Sequence, residues 1–216
     1  MICVALSDKN VDNCLSVLDK VEMAEIRLDM TEFEGDAIKK VFAHKTPTIA
    51  TCRPDRKGED DQLKRLVLAI ESGAKFADIE LEALPEQQQK IIAVARKHDC
   101  RVIISYHNFI ETPGLKDLYR IVDACFEKGA DIAKLATMSN SDADNAKLMA
   151  LYSNVKPVVA IGMGEKGKIT RIMAPLLGAA FTFAAMDQGM ATAPGQITYT
   201  RMKALLTELE NEIKTI

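Results

Sequence analysis

Apolar residues in this chain gather into short runs separated by longer mixed stretches. The runs are ICVAL (2–6), MAEIRL (23–28), PTIATC (47–52), FADIEL (76–81), RVIISY (101–106), DIAKLA (131–136), PVVAIG (157–162) and AAFTFAA (179–185). Their length, and their enrichment in β-branched residues with little polar alternation, predict strands covered on both faces, as in a parallel sheet. The stretches between them predict helices at roughly 10–20, 36–44, 60–72, 86–98, 115–128, 141–153, 168–177 and 198–214. In the last of these Met202, Leu205, Leu206, Leu209 and Ile213 recur at helical spacing with Glu and Lys between them. Ser141 with Asp144 has the form of a capping box, and Gly73 and Gly129 fall where a helix end favours a left-handed residue.

Eight such units in 216 residues, without a low-complexity linker or a break in composition, predict a single (β/α)8 barrel over residues 1–216, an α/β fold of the TIM type. The chain enters its first strand almost at once, so no amino-terminal hairpin closing the barrel bottom is evident. An open doubly wound sheet is the alternative, but the first strand is followed by LSDKN where a dinucleotide fold needs G-x-G-x-x-G. The glycines of IGMGEKG (161–167) come after the seventh run and are weak evidence by themselves.

Composition narrows the function. The chain is 48% hydrophobic and 27% charged with a net charge of −3, so it offers no basic stripe with interleaved aromatics for nucleic acid. Its five cysteines are scattered and never spaced as C-x-x-C, which suggests neither a disulfide framework nor a zinc site and suits a reducing cytosol. The start, MICVALSDKN, has no basic leader, and no run approaches the ~18 apolar residues of a membrane span. A cytoplasmic protein without a membrane partner is expected.

The candidate chemistry lies at the strand ends, where a barrel of this kind builds its sites. Lys134 interrupts the apolar run DIAKLATM (131–138). A lone lysine there ordinarily snorkels to solvent or pairs with a carboxylate such as Asp131. Glu25 and Arg27 share one strand face with Asp29, which alone reads as an ion pair on the wall. His107, after the fifth run, alone reads as structural. Asp78 and Glu80 alone read as solvating a strand end. Taken with Arg53, Arg171 and Gln196, however, these residues converge on one end of the barrel and form a plausible Schiff-base site with a separate proton carrier. A lysine of pKa ~10.4 is only ~0.04% neutral at pH 7, whereas one near 8 would be ~10% neutral. Apolar walls and neighbouring arginines are expected to push Lys134 in that direction.

Seven segments in order, AEIRLD (24–29), TCR (51–53), DIEL (78–81), SYHNF (105–109), DIAKLATM (131–138), MGEKGKITR (163–171) and APGQ (193–196), resemble type I 3-dehydroquinate dehydratase, the Schiff-base (β/α)8 family of the shikimate pathway. The resemblance implies that Lys134 forms an imine with the ketone of 3-dehydroquinate. It implies that His107 removes the adjacent proton and returns it to the departing hydroxyl, giving 3-dehydroshikimate. It further implies that Glu25, Arg27 and Arg53 hold ring hydroxyls, that Arg171 binds the carboxylate, and that Gln196 and Thr192 complete the pocket, with Met163 against the ring and residues 187–196 as a lid. Glu59 is the candidate for the carboxylate that orients His107, in a stretch (RPDRKGED) that departs from the family pattern. Thr192 stands where serine is frequent and Ile161 where methionine is common. No metal or cofactor is implied, and a homodimer is. A class I aldolase would share the strand-borne lysine but lacks support from phosphate-binding glycines after the last two strands. A catalytically silent scaffold would need none of these residues.

Overall fold

The computed structural model describes all residues except 55–57, 154–155, 188–191, 194 and 216, together with the side chains of all described residues but 59, 214 and 215. Eight strands alternate with eight helices. The strands are β1 (Ile2–Leu6), β2 (Met23–Arg27), β3 (Thr48–Thr51), β4 (Phe76–Glu80), β5 (Arg101–Asn108), β6 (Ile132–Met138), β7 (Val158–Met163) and β8 (Thr182–Ala185). The helices are α1 (Val11–Leu18), α2 (Gly35–Phe42), α3 (Glu59–Glu71), α4 (Pro85–Lys97), α5 (Leu115–Glu127), α6 (Asp142–Ala150), α7 (Gly164–Leu176) and α8 (Tyr199–Thr215).

All the strand pairs are parallel, in the order β7-β6-β5-β4-β3-β2-β1-β8. The curved sheet is a nearly closed barrel. At the seam between β7 and β8 the Ala180 amide, just before β8, donates to the Val158 carbonyl of β7 at 3.3 Å.

The strands are mostly apolar in sequence and are sorted by parity in space, because successive side chains point to opposite faces. Ala24, Ile26, Ala50, Ala77, Ile79, Val102, Ile104, Ala133, Leu135, Val158 and Ala160 join the outer core beneath the helices. Met23, Ile49, Ile103, Ile132, Val159, Ile161, Met163 and Phe183 fill the interior. On β2 to β6 the inward-facing series becomes polar toward the carboxyl end: Glu25 and Arg27, Thr51 and then Arg53, Asp78 and Glu80, Ser105 and His107, and Lys134. One rule of alternation therefore builds both the packed floor and the polar mouth.

The helix boundaries follow from local chemistry. Ser141 caps α6 by accepting from the Asp144 amide while Asp144 accepts from the Ser141 amide, the expected reciprocal box. Gly73 and Gly129 both have positive φ just beyond their helices. Three strands, β5, β6 and β7, run past their expected ends, and His107 accordingly lies within β5 and pairs in register with Ala136 of β6.

The larger difference is α7, which starts at Gly164 rather than near 168. Gly167 looks like a loop residue in sequence, yet it sits inside the helix for reasons of contact. A Cβ placed on it would lie 2.3 Å from the Gly162 carbonyl carbon and oxygen. Without one, α7 lies directly on the end of β7, and Arg171, one turn further along, is carried into the barrel mouth.

Candidate active site

The mouth encloses a cavity of about 420 Å³, lined by Glu25, Arg27, Thr51, Arg53, Glu80, His107, Phe109, Lys134, Ile161, Met163, Arg171, Phe183, Thr192 and Gln196 among others. Lys134 projects from β6 and is 6% exposed. Its Nζ donates to Asp78 Oδ2 at 2.8 Å and to Glu25 Oε1 at 3.3 Å, and stands 4.7 Å from the centroid of the Phe183 ring. Asp78 is buried more deeply than the lysine. Its Oδ1 accepts from Arg53 Nη2 at 2.8 Å and from the Ser105 hydroxyl at 2.6 Å. Thr51 in turn donates to Glu25 Oε1 at 2.8 Å.

This network reverses the expected charge state of the lysine. Burial by itself disfavours the ammonium, as expected, but Asp78 and then Glu25 outweigh both burial and the repulsion from Arg53, so the Lys134 pKa lies above its ordinary value. The expectation of a neutral amine took account of the apolar walls and the arginines. It overlooked two carboxylates that are brought within reach only by the barrel. Asp78 itself is held well below the usual carboxylate range: burial opposes its ionisation, and Arg53 and Lys134 more than compensate.

The neutral base in the site is the histidine. Burial, with the positive charges of Lys134 and Arg53, lowers His107 to about 3. Its ring stacks on Phe109 at a centroid distance of 6.1 Å, and Glu80 Oε1 lies 3.6 Å from its Nδ1. Glu59 opens α3 by its backbone, but its side chain, the expected partner of His107, lies outside the described residues; among the described residues the carboxylate paired with the His107 ring is Glu80.

The remaining side chains frame the cavity. Arg27 is fixed by Asp29, its Nε and Nη2 donating at 3.1 and 2.6 Å. Arg53 Nη1 is buried and has no hydrogen-bond partner among the described residues. Arg171 is 1% exposed, and burial lowers its pKa to about 10, which leaves it a cation at neutral pH. Gln196 and Thr192 close on each other: the Thr192 amide donates to Gln196 Oε1 at 2.8 Å, and Gln196 Nε2 donates to the Thr192 hydroxyl at 3.2 Å. Of the expected lid, residues 188–191 and 194 lie outside the described residues. Gly195, with φ of 78°, packs so tightly on the Gly164 carbonyl that a Cβ would approach its oxygen to 2.4 Å.

Residues 2–213 match the profile of the type I 3-dehydroquinase family. The chain belongs to that family. Its relatives named 3-dehydroquinate dehydratase, a hydro-lyase, include a Methanothermobacter thermautotrophicus protein, 37% identical over 98% of both chains. Another, from Methanococcus vannielii, is 34% identical over 97% of this chain and all of the relative. Among solved structures, the type I 3-dehydroquinate dehydratase of Clostridium difficile, described with covalently modified comenic acid, superposes with a TM-score of 0.84 at 25% identity, covering 98% of this chain and 92% of that one. The enzyme of Geobacillus kaustophilus superposes with a TM-score of 0.85 at 25% identity, covering 97% and 91%.

Within this type I 3-dehydroquinase, nine of the ten site residues expected from sequence border the one cavity, the tenth being Glu59. The sequence reading passed over Thr51, Ser105 and Phe183 and reduced Asp78 to a solvated strand end. A signal was there: Asp78 and Glu80 share the parity of Glu25, Arg27 and Lys134 relative to their strand ends, which marks them as inward-facing.

Proposed function

We propose that this protein dehydrates 3-dehydroquinate to 3-dehydroshikimate in the shikimate pathway, through an imine on Lys134 with His107 as the acid and base. The observation that carries the reading is a buried strand lysine opening into the same cavity as a neutral histidine, in a chain of this family. Addition of the Lys134 nitrogen to the substrate ketone and loss of water give an iminium that draws electrons from the adjacent carbon. His107, uncharged at neutral pH, takes the proton from that carbon, and the enamine expels the β-hydroxyl as His107 returns the proton to make water. Hydrolysis of the product imine frees the lysine.

Substrate placement is assigned by charge and donor geometry. Arg171 is a buried guanidinium suited to bidentate capture of the carboxylate. Arg53 Nη1 offers a donor to a ring oxygen, Glu25 and Arg27 face the same space, Gln196 and Thr192 cover it, and Met163 lies against the ring. A cytosolic homodimer completes the reading, and sedimentation at micromolar concentration tests the dimer. No helix among the described residues is long and apolar enough to cross a membrane.

The deciding experiment treats the protein with 3-dehydroquinate and cyanoborohydride and locates the added mass by peptide mapping, beside Lys134→Ala. The expected result is a reduced adduct on Lys134 in the wild type, none in the variant, and a loss of turnover exceeding about 10⁴-fold. A folded wild type that dehydrates the substrate without forming an adduct overturns the covalent mechanism. A folded wild type with no turnover overturns the activity.

A further inference from the structure

The interior of the barrel holds a charged group that substrate cannot reach and that the proposed chemistry, as described above, leaves without a role. Asp78 has a side chain with no exposed surface and is absent from the cavity wall, yet one of its oxygens lies 2.8 Å from the Lys134 nitrogen. Three donors on three different elements hold it there: Lys134 on β6, Ser105 on β5 and Arg53 after β3. Burying a carboxylate so completely costs stability unless its partners are fixed. A merely structural ion pair would be dispensable, since apolar residues of similar volume often serve as well.

We propose that Asp78 is the resident counter-ion of the Lys134 nitrogen, keeping the imine protonated throughout turnover. The proposal rests on the Schiff-base reading above. Its chemical basis is a balance. An ammonium and a ketone give an iminium and one water, so the positive charge sits on the same nitrogen before and after, with the N–C bond formed and the C–O bond broken. The neutral amine exists only in passing. A counter-ion placed for the resting ammonium is therefore already in place for the iminium, without reorganisation. An iminium that lost its proton would become a neutral imine and cease to withdraw electrons from the carbon that His107 must deprotonate.

Glu25 is the rival for this role and is less suited to it. Its oxygen is further away, at 3.3 Å, and its side chain forms part of the cavity wall, where an incoming hydroxyl competes for it. Among the described residues, the other titratable groups interacting with the nitrogen are Arg53, which repels it, His107, held uncharged, and the buried thiol of Cys3 on β1, which is pushed up by burial and then by Glu25. On the remaining sides stand Val159 of β7, its register partner, and the Phe183 ring of β8. Asp78 thus acts through Lys134 as a positioning residue, with no contact to substrate.

The test compares wild type, Asp78→Asn and Asp78→Glu across pH 6 to 9, reading kcat, KM and the adduct trapped by cyanoborohydride, which reduces the protonated imine. Loss of the negative charge disfavours the cation. For Asp78→Asn the alkaline limb of kcat and of trapping therefore moves toward acid by about one pH unit or more, with kcat down about 100-fold at pH 8 and KM within a few-fold. Asp78→Glu, which keeps the charge, retains the wild-type limb. A fall in kcat that is uniform with pH for Asp78→Asn, or an equal acid shift in both variants, overturns the counter-ion role and leaves the Schiff base standing. No adduct in the wild type overturns both. Competitive acetylation of the unmodified wild type supplies a test that needs no variant: the Lys134 amine should titrate above the surface lysines, and titration below them sinks the proposal.

Discussion

The two ends of the barrel interior are built on the same strands by the same alternation and do opposite things. At the amino end the inward residues are apolar. Phe181 packs edge-on against Phe76 and Phe183, with ring centroids 6.1 and 5.4 Å away, and the Arg101 guanidinium lies 5.4 Å over the outer ring. At the carboxyl end the interior holds two carboxylates, a lysine and an arginine in one hydrogen-bonded network. The aromatic end gains stability from area removed from water. The charged end gains little for its desolvation, and apolar residues could often replace it without loss of stability. What that end supplies is a set of groups whose protonation is fixed by their neighbours before substrate arrives. The Phe183 ring is the boundary, packed on Phe181 on one side and facing the lysine on the other.

That contrast can be broken from either end. The largest effect on stability should come from Phe181→Ala, a fully buried ring whose loss costs about 3–5 kcal/mol in urea unfolding. Its folded fraction should keep kcat/KM within about threefold, because the change lies on the far side of Phe183. A hundredfold fall in kcat would show instead that the plug sets the aim of Lys134 and that the two ends are one device.

Gly167→Ala sharpens the contrast from the other side. The added methyl meets the Gly162 backbone, so α7 must move off β7, at a cost of about 1–3 kcal/mol. Arg171 moves with it. KM should rise about tenfold or more with kcat changed less, if Arg171 is the carboxylate clamp proposed above, since such a clamp mainly holds substrate. An unchanged KM with a lowered melting temperature would remove Arg171 from the binding set.

The smallest effect is the pH response of His107. Its folded pKa is depressed from 6.5 to about 3, so between those values the unfolded chain binds a proton that the folded protein refuses. The stability this group contributes is present above about 6.5 and is lost as pH falls toward 3. Urea titrations of wild type and His107→Asn should therefore converge on acidification, the variant gaining about 1–2 kcal/mol relative to wild type between pH 7 and pH 5. A difference independent of pH would mean that the histidine is not held neutral.

Much of this was legible in the sequence and some was not. The eight strands, the capping box at Ser141 and the convergence of Lys134, His107, Arg53 and Arg171 on one end follow from periodicity and from where polar letters interrupt apolar runs. The start of α7 was hidden because Gly167 weakens a helix by propensity and is justified only by contact with Gly162. Asp78 was undervalued because a carboxylate near a strand end is ordinarily solvated. Its importance lies in partners at residues 53, 105 and 134.

The sequence by itself determined the alternation of strand and helix, and with it which residues face the axis, because these depend on local periodicity and on one general rule of barrel handedness. The tertiary structure alone decided the charge on Lys134. That depends on distances between groups 56 and 109 residues apart along the chain. Electrostatic energy varies with separation and burial rather than with residue type, and two carboxylates within 3.3 Å outweigh the apolar walls that the local sequence describes.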